Sequence, residues 1–247
     1  MSKANPPSEH HYIPKFYLKK WTLADQRLCQ YSIPFGQTVK PLRVHPSQTG
    51  KKDDLYKLYG FPESISQQVE SDYLKLVDGN AKHALDYLCE NKTISFSNSK
   101  LRGAWTQFFL SLLTRMPEDI EAARKAFEIS TRKPPETLRR SLESIESISS
   151  KDNPLSAEEI LSHLEVSDKE FAMYEAFMAS HTGDRGAGFF SNLSWRVIDF
   201  TDTDSTLVTS DRPLVRIQDS LDSKRAWAFP ISPNLLFFRH TRQKANS

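Results

Sequence analysis

Leu193-Ser194-Trp195-Arg196-Val197-Ile198-Asp199 is the stretch where the residue period of this chain changes. Trp195, Val197 and Asp199 alternate, the spacing of two that sends successive side chains to opposite faces of a strand. Downstream, Thr206–Thr209, Leu214–Ile217, Arg225–Phe229 and Leu235–Phe238 are short, rich in β-formers and parted by turn residues. With the first stretch they predict a meander of five strands. Upstream the period is helical. Leu74, Val77, Ala81, Leu85 and Leu88 share one face of a helix predicted between Ser64 and Asn91, with Gly79 a possible bend. Leu101, Trp105, Phe108 and Leu112 line a second helix from about Ser99, and Pro117 opens a third that runs to about Thr131.

Pro134-Pro135 punctuates the chain, and residues 136–153 read as helix followed by a polar linker. Two capping boxes, Ser156-x-x-Glu159 and Ser167-x-x-Glu170, mark helices near 157–164 and 168–181. Gly183-Asp184-Arg185-Gly186-Ala187-Gly188 follows no strand, so it reads as a loop rather than a phosphate cradle. At the other end, His10-His11-Tyr12-Ile13-Pro14-Lys15-Phe16-Tyr17-Leu18-Lys19-Lys20-Trp21 is far richer in rings than an ordinary chain start. Tyr17, Leu18 and Trp21 have helical spacing, so a short helix from about Pro14 to Trp21 docks into the core. Arg27–Ser32 and Thr38–Val44 flank Pro34-Phe35-Gly36-Gln37 as a small hairpin, and 46–54 reads as loop.

The order is hairpin, helices, strands, so the class is α+β rather than a repeating βαβ fold. The expected architecture is an N-terminal helix and small hairpin, a central helical bundle and a C-terminal antiparallel β-meander. Residues 1–9 read as disordered and 10–247 as a single domain. Its helical part spans about 60–185 and its β part about 10–56 and 193–240.

Of the 247 residues, 38% are apolar and 26% charged, and the formal charge is +2. That balance excludes a nucleic-acid-binding argument from net charge, so any basic patch must be local. Cys29 and Cys89 are far apart and in no metal spacing, which fits reduced thiols in a cytoplasmic protein. The start lacks a secretory core. The longest apolar stretch, Phe108–Leu113, is broken by Ser111 and falls short of the roughly 20 residues of a membrane span.

Charged residues on apolar faces are the candidates for function, because a buried charge needs a partner. Arg115 extends the Phe108–Leu112 stripe; it could clamp a phosphate or carboxylate bidentately, or sit in a structural ion pair. Glu70 shares the stripe of Leu74 and Val77, and Asp78 borders it. In a continuous helix these acids stand about 12 Å apart along the axis, too far for one metal. Asp211, in the Ser210-Asp211-Arg212-Pro213 turn after a strand, could orient a histidine or bind a metal, or serve the turn alone. His10 and His11 point oppositely in an extended segment, so one enters a site while the other packs. The remaining histidines have no ligand spacing.

The opening His10–Trp21 stretch resembles the start of the domain-of-unknown-function family 4238. Asp53-Asp54-Leu55-Tyr56 resembles its acidic-Tyr loop, and Glu70 with Asp78 its pair of helix acids, where a second glutamate is expected instead of Asp78. Thr114-Arg115-Met116-Pro117 is similar to its Arg-x-Pro helix end. Leu207–Pro213 resembles its strand and Ser-Asp-x-Pro turn, with Arg212 where asparagine is usual. Phe229-Pro230-Ile231-Ser232-Pro233 resembles the strand start that follows. The likeness covers roughly 10–240, and the family implies kinship without an assigned chemistry.

The residues that break the local pattern coincide with those the resemblance marks: His10, His11, Glu70, Arg115 and Asp211. Together they suggest a shared cleft and a metal-assisted phosphodiesterase or nuclease, with a defence or toxin role. His11, Glu70 and Asp211 would hold Mg²⁺ or Mn²⁺, Arg115 would neutralise the phosphoryl charge, and Lys15, Lys19 and Lys20 would guide a nucleic-acid backbone. The alternative is a non-catalytic module for protein or nucleic acid, in which the same residues form a structural network. A hydrolase built on Ser210 is weaker, since no Gly-x-Ser-x-Gly elbow surrounds it.

Overall fold

The computed structural model describes residues 8–34, 36–59, 66, 67, 69–130, 194–218 and 225–240. Strand β1 (Glu9–His11) leads through Pro14 into the short helix α1 (Lys15–Leu18), continued as a 3₁₀ turn over Lys19–Trp21. A hairpin follows, β2 (Leu28–Ser32) and β3 (Lys40–Val44). A 3₁₀ turn at Pro46–Gln48 precedes β4 (Lys51–Asp53). A π-helical segment at Val69–Leu74 runs into α2 (Lys75–Asn91), then α3 (Ser99–Leu112) and α4 (Pro117–Ser130). Strands β5 (Ser194–Asp199), β6 (Val215–Gln218), β7 (Arg225–Ser232) and β8 (Leu235–His240) close the order. The expected α+β class is what the structure shows.

Three antiparallel sheets form. β1 pairs with β4, β2 with β3, and a four-stranded sheet runs β5-β8-β7-β6. The core lies between α2, α3 and that sheet. Val77, Ala81, Leu85 and Leu88 of α2 and Trp105, Phe108 and Leu112 of α3 are buried with Phe229, Ile231 and Phe237 of the sheet. The apolar stripes dictate this stacking, since each amphipathic face must meet another. Rings carry much of it: Tyr17 stacks on Phe229 at 5.0 Å, and Trp105 meets Phe237 edge-on at 5.5 Å.

The structure differs from the sequence reading in three places. Thr206–Thr209 is not a strand, so the meander has four strands among the described residues. Its polar groups are used otherwise: Leu207 N–H donates to the Pro233 carbonyl, the Leu207 carbonyl accepts from Trp21 Nε1, and Thr209 Oγ1 meets the Tyr17 hydroxyl. Glu9, read as part of a disordered leader, stands in β1 opposite Asp53, and part of the expected 46–54 loop is β4. Three residues per strand is too short for a periodic signal. Finally, the helix expected from Ser64 enters through a π segment, which a 3.6-residue period does not reveal. The helices near 136–153, 157–164 and 168–181, both capping boxes and the Gly183–Gly188 loop lie outside the described residues. Among those residues no helix is long and apolar enough to cross a membrane.

Candidate functional site

Arg115 sits one turn past the end of α3, where its N–H still reaches back to the Ser111 carbonyl at 3.0 Å. That extra turn keeps it on the apolar stripe, and its side chain is wholly buried. The guanidinium grips both oxygens of Asp78, at 2.8 and 3.1 Å, from α2. The same nitrogen that makes the longer bond also donates to the His11 carbonyl at 2.9 Å. A weaker contact to Ser111 Oγ measures 3.4 Å. Burial opposes the charge on Arg115, but Asp78 more than offsets it and holds the group firmly protonated. The Arg115 carbonyl accepts from the Tyr56 hydroxyl at 2.7 Å. The Tyr56 N–H donates to His10 Nδ1 at 2.9 Å, and the two rings stack at 5.5 Å. An Nδ1 that accepts leaves the His10 proton on Nε2. One knot thus ties β1, the loop after β4, α2 and the end of α3.

Beside this knot lie two further buried polar atoms that, like Arg115 Nε within it, have no hydrogen-bond partner, Glu70 Oε2 and His11 Nε2. Glu70 belongs to the π segment, whose widened turn is frequent at functional sites. Burial pushes its carboxyl up to about 7; Arg115 opposes the rise, Asp78 adds to it and Lys15 opposes it. His11 goes the other way. Burial and the neighbouring Lys15 push its imidazole down to about 4, against the Ser47 backbone, so the ring is neutral at physiological pH. A neutral imidazole and a carboxyl that titrates near 7 can accept and return a proton.

Asp211 stands elsewhere. It is exposed in its turn, and its charge bears on Tyr12, whose hydroxyl is raised first by burial and then by Asp211 and Glu118. The turn is fixed by Arg212, which donates to Glu118 and Asp119 at the start of α4, each at 3.1 Å. The structure therefore gathers His10, His11 and Arg115 in one knot with Glu70 against it, and sets Asp211 on the Tyr12 side of the N-terminal segment. No three His, Cys, Asp or Glu among the described residues gather where a metal ion could sit, and His11, Glu70 and Asp211 do not form such a group.

Sequence reasoning set Lys15 beside the site but gave Tyr56 no part in it, and it did not pair Asp78 with Arg115. Asp78 left a trace, since it borders the buried stripe. Tyr56 follows no periodic element, and only the family resemblance of Asp53–Tyr56 marks it.

The family model described as Protein of unknown function (DUF4238) matches residues 9–247. The chain belongs to that family. No curated protein and no solved structure matches it.

Proposed function

Within this family, we propose that Glu70 and the His11 ring form a proton-transfer site for hydrolysis of phosphoester bonds, with nucleic acid as the substrate class. The observation that carries this reading is the half-buried Glu70 carboxyl, one oxygen of which is buried without a hydrogen-bond partner, so that burial pushes the group up to about 7. Burying such a group is costly to the fold, and strongly shifted carboxyls concentrate where proton transfer is needed. Glu70 takes a proton from water as its oxygen attacks phosphorus, the P–O bond to the leaving group breaks, and the proton returns to that oxygen. Lys15 acts electrostatically on both Glu70 and His11 and makes no ion pair with a described residue. It is a cation available to a phosphoryl oxygen. Arg115 is spent on Asp78 and His11, so it supports the site instead of gripping phosphate. A cytoplasmic defence or toxin effector is the setting we infer for such an activity.

The test is cleavage of labelled RNA and DNA by the native chain and by Glu70→Gln, with and without Mg²⁺ or Mn²⁺. The expected rate rises with pH through about 7 and falls about 10²- to 10⁴-fold in the variant, with the fold intact. No cleavage at any pH, or equal rates for both proteins, overturns the reading.

One observation favours a second reading, a non-catalytic module. The donors on the terminal nitrogens of Arg115 serve only structural partners, so the marked residues can be read as a knot that fixes the N-terminal segment. In that case Glu70→Gln changes stability alone.

A further inference from the structure

A small cavity lies where α3 meets the four-stranded sheet. Trp105, Thr106 and Phe109 wall it from the helix, and Trp195, Phe237 and Arg239 wall it from the sheet. Its volume is about 10 Å³, room for one water-sized body. The residue spacing builds these walls. Positions 105, 106 and 109 fall on one side of α3, the first and last a helical turn apart. Trp195 stands opposite Arg239 in the β5–β8 register, so both side chains leave the same face of the sheet. Phe237 lies two residues before Arg239 on that face. None of these residues belongs to the Glu70 and His11 region.

Three polar atoms of the wall are buried without a hydrogen-bond partner: Trp105 Nε1, Thr106 Oγ1 and Trp195 Nε1. Trp105 is 0% exposed and Thr106 3%. An indole nitrogen can only donate, and a buried donor left unmatched weighs against the fold. The indole of Trp21, by contrast, finds the Leu207 carbonyl at 3.3 Å. Arg239 brings a guanidinium to the same wall. Burial lowers it only to about 9, so it is charged at neutral pH.

Whatever fills the cavity must therefore accept hydrogen bonds. A water molecule accepts at most two, and its own hydrogens need acceptors. Among the side chains of the wall, the Thr106 hydroxyl oxygen alone can accept. A cation would face the charge of Arg239. Phosphate and carboxylate ions have several heavy atoms and exceed the space. A halide is one atom, accepts from several donors at once and carries the sign opposite to Arg239. We propose that this cavity binds a single halide ion, chloride in ordinary solution, held by Trp105 Nε1, Trp195 Nε1 and Thr106 Oγ1. The ion ties α3 to β5 and so joins the helical and β parts of the core.

The test is thermal unfolding of the full chain in sodium chloride and in sodium gluconate at equal ionic strength, gluconate being too large to enter. The midpoint should rise saturably with chloride alone, by about 5–10 °C at roughly a hundred times the dissociation constant. In crystals grown with bromide, an anomalous peak should stand in contact with Trp105 and Trp195. Thr106→Val and Trp195→Phe each remove one donor and should each weaken chloride binding about tenfold. Thr106→Val should also invert the order of stability. It should match or exceed the native chain in gluconate, where an orphaned donor has been removed, and fall below it in saturating chloride. The proposal falls if chloride and gluconate give the same midpoint, or if the chloride effect does not saturate. It also falls if both variants keep the native chloride response, or if the cavity holds no bromide peak.

Discussion

Buried cations are met in two different ways at the two ends of the core. Near the N-terminal segment, Arg115 is clamped by a carboxylate and a carbonyl, and its charge is secured. At the sheet end, Arg102 lies between Phe96 and Trp195, at 4.0 and 3.7 Å from their ring centres, and donates to the Ile94 carbonyl at 3.0 Å. Arg239 of β8 is also buried, 5.5 Å over Phe109, and burial pushes its guanidinium down to about 9. Among the described residues, the same demand, compensation for a charge removed from water, is met by an anion in one place and with the help of ring faces in the other. The anion joins segments remote in the chain with fixed geometry. The rings give a softer and less directional hold.

The comparison breaks most decisively at Asp78. Asp78→Ala leaves Arg115 buried with its charge unmatched, and should cost about 3–5 kcal/mol in urea unfolding. A loss under about 1 kcal/mol would show that the carboxylate clamp is no firmer than a surface pair. Replacing both partners, Asp78→Leu with Arg115→Met, should be milder than Asp78→Ala alone.

Next comes Glu70, the carboxyl that the clamp leaves without a hydrogen bond on one oxygen. Its native pKa lies above its ordinary 4.5, at about 7. Its contribution is therefore fully present below pH 4.5 and lost as pH rises through about 7. Native unfolding free energy should fall across that window relative to Glu70→Gln, by about 3 kcal/mol. His11, depressed from 6.5 to about 4, acts oppositely and loses stability as pH falls through those values. It is present in both proteins and cancels in the difference. Parallel pH curves for the two proteins would remove Glu70 from the set of perturbed groups.

Arg102→Ala tests the ring-based hold. Among the contacts it removes are two cation–π contacts and a hydrogen bond, together about 2 kcal/mol by thermal or urea unfolding. A cost equal to that of Asp78→Ala would erase the distinction. The smallest effect belongs to Arg212→Ala on the surface. Its two exposed ion pairs should contribute under about 1 kcal/mol, and less as salt is raised.

Much of this architecture was legible in the residue spacing. The change of period at Trp195, the stripes of α2 and α3 and the Pro34–Gln37 hairpin give class and order directly, because burial of one face imposes them. Arg115 was legible as well, standing on an apolar stripe where a charge must find company. Its partner was only half legible: Asp78 shows as a stripe neighbour, but which carboxylate closes on the guanidinium depends on how α2 and α3 meet. Arg239 repeats the same signal in a strand, alternating inward with Leu235 and Phe237. It was overlooked because a single polar position in a six-residue strand resembles the outward face. The β1–β4 pairing and the Tyr56 link were not legible. They join short segments through long-range contacts that leave no local period.

The Tyr17 hydroxyl bonds to Thr209 and to the Pro230 carbonyl, partners 192 and 213 residues further along the chain. A ribosome adding roughly 5–20 residues per second leaves this ring without its acceptors for roughly 10–40 seconds. Throughout that interval Tyr17 and Trp21 have no β7 to lie against, so the rings of the nascent segment stay uncovered. Completion of the core waits on the last strands to emerge.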